Sequence, residues 1–133
     1  MLAMLASHPH PVPDVEESAV AAEALHACAA HCAACADACL AEDTVAELRA
    51  CIRRDLDCAD ICAATARVVA RQTAGDTSMF SGLLAAAIEA CERCAEECET
   101  HAAHHEHCRI CAEVCRDCAA ACRRLMESIV PPM

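Results

Sequence analysis

The chain has 133 residues, a length that suits one domain and allows a core to form without disulfide bonds. Its formal net charge of −11 argues against a nucleic-acid partner, because proteins that bind nucleic acids present basic patches. The N-terminal segment lacks the basic start and the uninterrupted apolar run of an export signal, and no stretch approaches the roughly 20 apolar residues of a membrane span. The sequence therefore predicts a cytoplasmic protein without a membrane partner, in which thiols stay reduced.

In chain order, a flexible N-terminal arm and four helices are predicted. Residues 1–13 contain proline and histidine and are expected to form the arm, ahead of a bundle over residues 14–130. Capping residues and apolar periodicity set the helix bounds. The four helices are predicted at about 15–41, 44–74, 78–101 and 104–129.

The boundary between the third and fourth helices has neither glycine nor proline, so it rests on the phase of the cysteines. Cys98 and Cys108 are ten residues apart, which turns a continuous helix by about 1000° and displaces the cysteine stripe by roughly 80°. A break near residues 101–105 restores the phase. Four helices with short connections predict an all-α fold, an antiparallel up-down-up-down four-helix bundle.

Cysteines line one face of each predicted helix. They recur at steps of three and four residues, which places them at the positions that point toward partner helices. They come late in the first and third helices and early in the second and fourth, so an antiparallel bundle gathers them at one end and in the middle. The other end receives an apolar group, namely Leu25, Val69, Phe80, Leu84 and Met126. The fifteen cysteines are Cys28, Cys32, Cys35, Cys39, Cys51, Cys58, Cys62, Cys91, Cys94, Cys98, Cys108, Cys111, Cys115, Cys118 and Cys122.

A core lined with thiols predicts the binding of several soft metal ions, for which Cu(I) is the best candidate. Each Cu(I) that replaces a thiol proton leaves the core near neutral, whereas four thiolates around Zn(II) leave two uncompensated negative charges. A zinc-binding or zinc-buffering bundle remains an alternative. So does a thiol-disulfide redox sensor, although its C-x-x-C motifs lack the βαβ context of a thioredoxin-like site. No catalytic motif is present, and we expect a protein that is not an enzyme.

Three other residues are candidate metal ligands. Asp55 lies in the second cysteine stripe, where a lone buried carboxylate would contact copper, accept protons or pair with a histidine or arginine. His104 is in phase with the fourth stripe and His101 with the third. Both are predicted at the mouth, which we define as the end of the bundle that carries the turn at 101–107 and through which metal passes in and out. His105 and His107 are expected to be exposed.

The cysteine stripes resemble those of the four-helix-bundle copper storage proteins, in particular the cytosolic branch that lacks an export signal. The resemblance covers nearly the whole chain. It rests on C-x₃-C-x₂-C-x₃-C at 28–39, C-x₂-C-x₃-C at 91–98 and 108–115, and the histidine-bearing turn. It implies a homotetramer of bundles, many Cu(I) ions held by inward cysteines, and a role in copper storage or detoxification. Asp55 departs from this pattern, because it stands where the stripe at 51–62 lacks a cysteine.

Overall fold

The computed structural model describes residues 1–73 and 77–129. The predicted end of the second helix at residue 74 and the predicted end of the bundle at residue 130 lie outside these ranges. Five helices occupy the described residues, and a 3-10 turn at Val45–Leu48 leads into the third. The helices are α1 (Leu2–Ala6), α2 (Val15–Leu40), α3 (Arg49–Val69), α4 (Thr77–His101) and α5 (Glu106–Ile129).

The four long helices form a ring in which α2 and α4 each pack against α3 and α5. Sulfur contacts between α3 and α4 give the direction of the chain. Cys51 Sγ lies 3.6 Å from Cys98 Sγ, and Cys62 Sγ lies 3.6 Å from Cys91 Sγ, so one helix ascends as the other descends. Between α2 and α5, Cys28 contacts Cys115 and Cys32 contacts Cys111, so these two helices are also antiparallel. The predicted all-α antiparallel four-helix bundle is confirmed.

The core has a thiol end and an apolar end. Each long helix carries an apolar side chain on the side of its cysteines that faces away from the mouth. These side chains are fully buried in the same cluster, and in an antiparallel bundle they meet at the end opposite the mouth. Phe80 and Met126, also predicted there, are partly buried and pack against this cluster. The fully buried apolar residues of this end are Leu25, Val69, Leu84 and Leu125.

The N-terminal segment, which is predicted as a flexible arm, contains the short helix α1 (Leu2–Ala6). Leu5 of α1 is only 4% exposed, and α1 packs against α2. Farther along the segment, His8 Nε2 lies 2.6 Å from Thr73 Oγ1. The apolar side of α1 accounts for the difference, because burying Leu5 offsets the ordering of a helix too short to be stable alone.

The connections at the mouth set where α3 and α5 begin. Leu48, which is buried, ends the 3-10 turn, so the α-helix starts at Arg49 instead of near residue 44. The fourth long helix starts at Glu106 instead of residue 104, after a turn in which the His104 N–H donates to the His101 carbonyl. The predicted break near residues 101–105 is therefore present, but the fourth stripe begins later than expected.

Among the described helices, α2 is long and apolar enough to cross a membrane by length and composition. The prediction that no stretch of the sequence approaches this length and apolarity is therefore wrong for Val15–Leu40. In the structure, 44% of the most apolar 18-residue stretch of α2 is buried inside the bundle. Its four cysteines all lie in the core. Helices packed in a protein core also meet this measure, and α2 packs in the core of the bundle.

Candidate metal centre

All fifteen cysteines are buried, and none is joined in a disulfide. Their sulfur atoms follow one another along the axis of the bundle at short range. Cys32 Sγ, for example, lies 3.6 Å from Cys115 Sγ and 3.9 Å from Cys94 Sγ. We refer to these fifteen side chains as the thiol column. Thiols stacked in this way can bind soft metal ions once they lose their protons.

Neighbouring sets of thiols in the column share members. Each set places four sulfur atoms within 4.8 Å of one another, close enough to hold one ion. Because a cysteine belongs to more than one set, its thiolate can bridge two ions, and the column can hold clusters instead of isolated ions. Three of these sets are Cys28, Cys58, Cys62 and Cys91; Cys28, Cys32, Cys58 and Cys115; and Cys32, Cys94, Cys111 and Cys115.

Asp55 is fully buried within the thiol column. Its Oδ1 accepts hydrogen bonds from Cys94 Sγ at 3.0 Å and Cys111 Sγ at 3.4 Å, and its Oδ2 accepts one from Cys51 Sγ at 3.9 Å. The pKa of this carboxyl is raised to about 8, chiefly by burial and next by the electrostatic effect of the neighbouring Cys111. Asp55 also belongs to a set of four potential ligands that includes Cys98.

His107 closes the column at the mouth. Its Nδ1 lies 3.4 Å from Cys35 Sγ, 3.6 Å from Cys108 Sγ and 4.0 Å from Cys39 Sγ. The side chain is partly buried, so the expectation of an exposed His107 is wrong. One sequence signal could have identified it: His107 precedes Cys111 by four residues, which places both on the same side of α5.

The other histidines of the turn occupy different environments. His104 is exposed, because it lies in the turn before α5 and does not follow the helical phase of the cysteines. His101 is partly buried at the end of α4, and its Nε2 lies 3.0 Å from Glu97 Oε2. His105 is also partly buried, contrary to expectation, and its Nδ1 contacts Glu42 Oε2.

The thiols nearest the mouth are held in their neutral form by burial. Burial raises the pKa of Cys108 to about 12, and it is also the main cause that raises the pKa of Cys39 above its usual range. Thiols in this state are protonated at neutral pH. A metal ion that binds them therefore has to displace protons.

A four-helix bundle with a continuous column of buried thiols defines a class of proteins that hold soft metal ions in their interior. The model of the copper storage protein family matches residues 14–127 of this chain. The chain belongs to that family, which confirms the resemblance found in the cysteine stripes.

Solved structures from Streptomyces lividans are similar to this chain over most of its length. The copper storage protein Ccsp loaded with 10 copper equivalents is 46% identical, with a TM-score of 0.93 over 96% of this chain and 98% of that one. A structure of copper loading to a cytosolic copper storage protein with five coppers is 50% identical, with a TM-score of 0.83 over 84% of this chain and 93% of that one.

A curated relative extends the comparison to another organism. The uncharacterized cysteine-rich protein YhjQ of Bacillus subtilis (strain 168) is 38% identical over 103 residues. The match covers 77% of this chain and 90% of that protein.

Proposed function

We propose that this protein stores several Cu(I) ions in the cytoplasm, on the inward thiolates of the thiol column, and that it acts as a store and not as an enzyme. The observation that carries the proposal is the column itself: fifteen buried, unbridged cysteines whose potential ligand sets overlap. A structural core would pack as well with alanine, which does not oxidise. The cytosolic relative from Streptomyces lividans supports the same compartment.

The proposed ligands are the fifteen cysteines, with Asp55 inside the column and His107 at its outer end. The buried position of Asp55 among thiols supports direct contact with copper or proton exchange as copper binds. His101 and His104 lie beyond the thiol column, and we retain them as residues of the mouth that ions pass on their way in or out. Short distances to three sulfur atoms make His107 the first ligand that an incoming ion meets.

Charge favours Cu(I) over Zn(II) in this core. The buried polar or charged side chains among the described residues are Ser18, Asp55 and Thr65, so no buried cation is available to offset excess thiolate charge. Exchange of a proton for Cu(I) creates no excess charge, whereas each Zn(II) with four thiolates leaves two negative charges in a medium of low dielectric constant. Storage of copper therefore places less charge in the interior than storage of zinc.

We also propose that the protein assembles as a homotetramer. The outer face of α2 supports self-association, because Val20, Ala27, Ala30 and Ala34 are exposed along it. Small apolar side chains of this kind allow the helices of neighbouring subunits to approach closely. Sedimentation equilibrium tests this proposal against the 14.0 kDa mass of one chain, and a monomer would contradict it.

Competition between metals tests the proposed function against the zinc alternative. Reduced protein is mixed anaerobically with a chelated Cu(I) supply and a tenfold excess of Zn(II), and bound metal is counted after desalting. We expect copper to fill the column and zinc to be nearly absent. A protein that retains a few zinc ions and little copper would contradict the proposal.

Thiol counting after copper removal separates storage from redox sensing. A store should return all fifteen free thiols when a strong Cu(I) chelator extracts the metal, and mild oxidant should not produce one defined set of disulfides. Mass spectrometry of alkylated protein reads both results. Reversible formation of a fixed pairing under mild oxidant would favour the redox sensor.

A further inference from the structure

We propose that Glu42 is a positioning residue that holds the His107 ring with Nδ1 facing the outermost thiols. The inference rests on the proposed function, in which His107 is the ligand at the mouth. Glu42 lies 65 residues away from His107 in sequence, in the connection between α2 and the 3-10 turn. Its role is to orient a ligand, and the metal ligand is His107.

One carboxylate oxygen of Glu42 contacts two histidines. Oε2 lies 3.4 Å from His107 Nε2 and also contacts His105 Nδ1. The two rings are stacked, with centroids 5.4 Å apart and planes inclined by 30°. Glu42 and the His105 ring therefore bound the His107 ring on its outer edge and on one face.

The contact with Glu42 selects one tautomer of His107. A neutral imidazole carries a single N–H, and a carboxylate oxygen can only accept it. Nε2 of His107 must then carry the proton and donate to Glu42, which leaves the lone pair of Nδ1 directed at Cys35 Sγ, 3.4 Å away. Histidines that bind metals commonly donate their second ring N–H to a carboxylate in this way, and the contact fixes the orientation of the ring.

Backbone hydrogen bonds fix the position of Glu42 relative to the thiols near His107. The Glu42 N–H donates to the Cys39 carbonyl at 3.2 Å, and the Glu42 carbonyl accepts from the Val45 N–H at 3.2 Å. Cys39 is one of the three thiols near His107 Nδ1. The Glu42 carboxylate and the Cys39 thiol therefore lie on the same turn, and the His107 ring lies between them. This arrangement allows Glu42 to set the position of the His107 ring before copper arrives.

The first measurement is the tautomer of His107 in metal-free, reduced protein. Long-range ¹H–¹⁵N NMR of ¹⁵N-histidine-labelled wild type should place the His107 proton on Nε2. The Glu42→Ala variant should give a mixture of the two tautomers. An unchanged tautomer in this variant would overturn the proposal, and this readout does not depend on copper binding.

The second measurement is the rate of copper uptake, followed by stopped-flow with chelated Cu(I). Glu42→Ala should slow uptake on the order of tenfold and should leave the number of bound ions unchanged. Tenfold is the lower end of the effect expected when a metal-binding histidine loses the carboxylate that orients it. The matched control is Glu47→Ala, which removes the same charge from an exposed position nearby. Equal slowing in both variants would overturn the proposal, because it would reveal a general effect of charge at the mouth.

A double-mutant cycle completes the test. In a His107→Ala background, Glu42→Ala should cause no further slowing, since a positioning residue acts only through the ring it holds. Additive losses would contradict that role. If circular dichroism reveals that Glu42→Ala is unfolded, Glu42→Gln replaces it and should give a smaller loss, because its carbonyl can still accept from Nε2–H. A wild-type protein that binds no copper would refute the storage function while the tautomer result still stood.

Discussion

At the scale of single residues, Asp55 is a carboxyl group that lies fully buried among thiols. Burial disfavours its charged form and raises its pKa to about 8. In the metal-free protein it is mostly a neutral acid at pH 7. The absence of its charge lets Asp55 remain in the core without a cationic partner.

The pKa of Asp55 predicts a pH-dependent cost to stability. The unfolded chain loses the Asp55 proton above about pH 4, whereas the folded protein keeps it up to about pH 8, so this residue lowers stability as pH rises between those values. Asp55→Asn has no proton to lose. It should therefore stabilise the reduced, metal-free protein at pH 7, on the order of 4 kcal/mol, and much less at pH 4.

Urea unfolding of both proteins across this pH range measures the difference in the free energy of unfolding. Asp60→Asn, at an exposed position on the same helix, is the matched control and should behave as wild type. A constant difference between Asp55→Asn and wild type from pH 4 to pH 8 would contradict the raised pKa.

At the scale of helices, the spacing of the cysteines was sufficient to predict the bundle and the inward thiols. Steps of three and four residues specify a helix face without reference to the rest of the chain. The same local pattern also located the break between α4 and α5, because the stripes on either side of it are out of phase. These features depend on neighbours in sequence, and the structure agrees with them.

The histidines of the mouth could not be ranked from the sequence in the same way. Moving the start of α5 from residue 104 to Glu106 removes His104 from the helical stripe, whereas His107 keeps its place four residues before Cys111 and lies near the thiols. The contact between Glu42 and His107 joins segments far apart in the chain, and no local pattern encodes it. Packing of α1 through Leu5 is likewise a tertiary contact of one apolar side chain.

Gly82 in α4 allows the stability of one helix to be changed without affecting the thiol column. It lies on the exposed side of the helix, and a Cβ added there would meet no atom within 4 Å. Glycine costs about 1 kcal/mol relative to alanine inside a helix. Gly82→Ala should therefore raise the free energy of unfolding by about 0.5–1 kcal/mol, with copper capacity and uptake rate unchanged. Thermal unfolding of the metal-free protein checks this, and a lower melting temperature would contradict it.

At the scale of the whole molecule, the bundle carries its thiols toward the mouth and its apolar residues toward the opposite end. The apolar residues opposite the mouth close the column, so ions are expected to travel inward past His107 and protons to leave by the same route. Because the thiols at the mouth are neutral, loading exchanges one proton for one Cu(I) at each thiol and keeps the interior near neutral. Because each Cu(I) replaces one proton, the formal net charge of −11 does not change as the core fills.

The central claim is that the buried thiols themselves hold monovalent copper. Anaerobic titration of the reduced protein with Cu(I) at pH 7, with free thiols and released protons counted at each step, tests it most directly. We expect about one Cu(I) bound and one proton released per cysteine consumed, until none of the fifteen thiols reacts with a thiol reagent. Saturation after a few ions, with most thiols still reactive, would contradict the account.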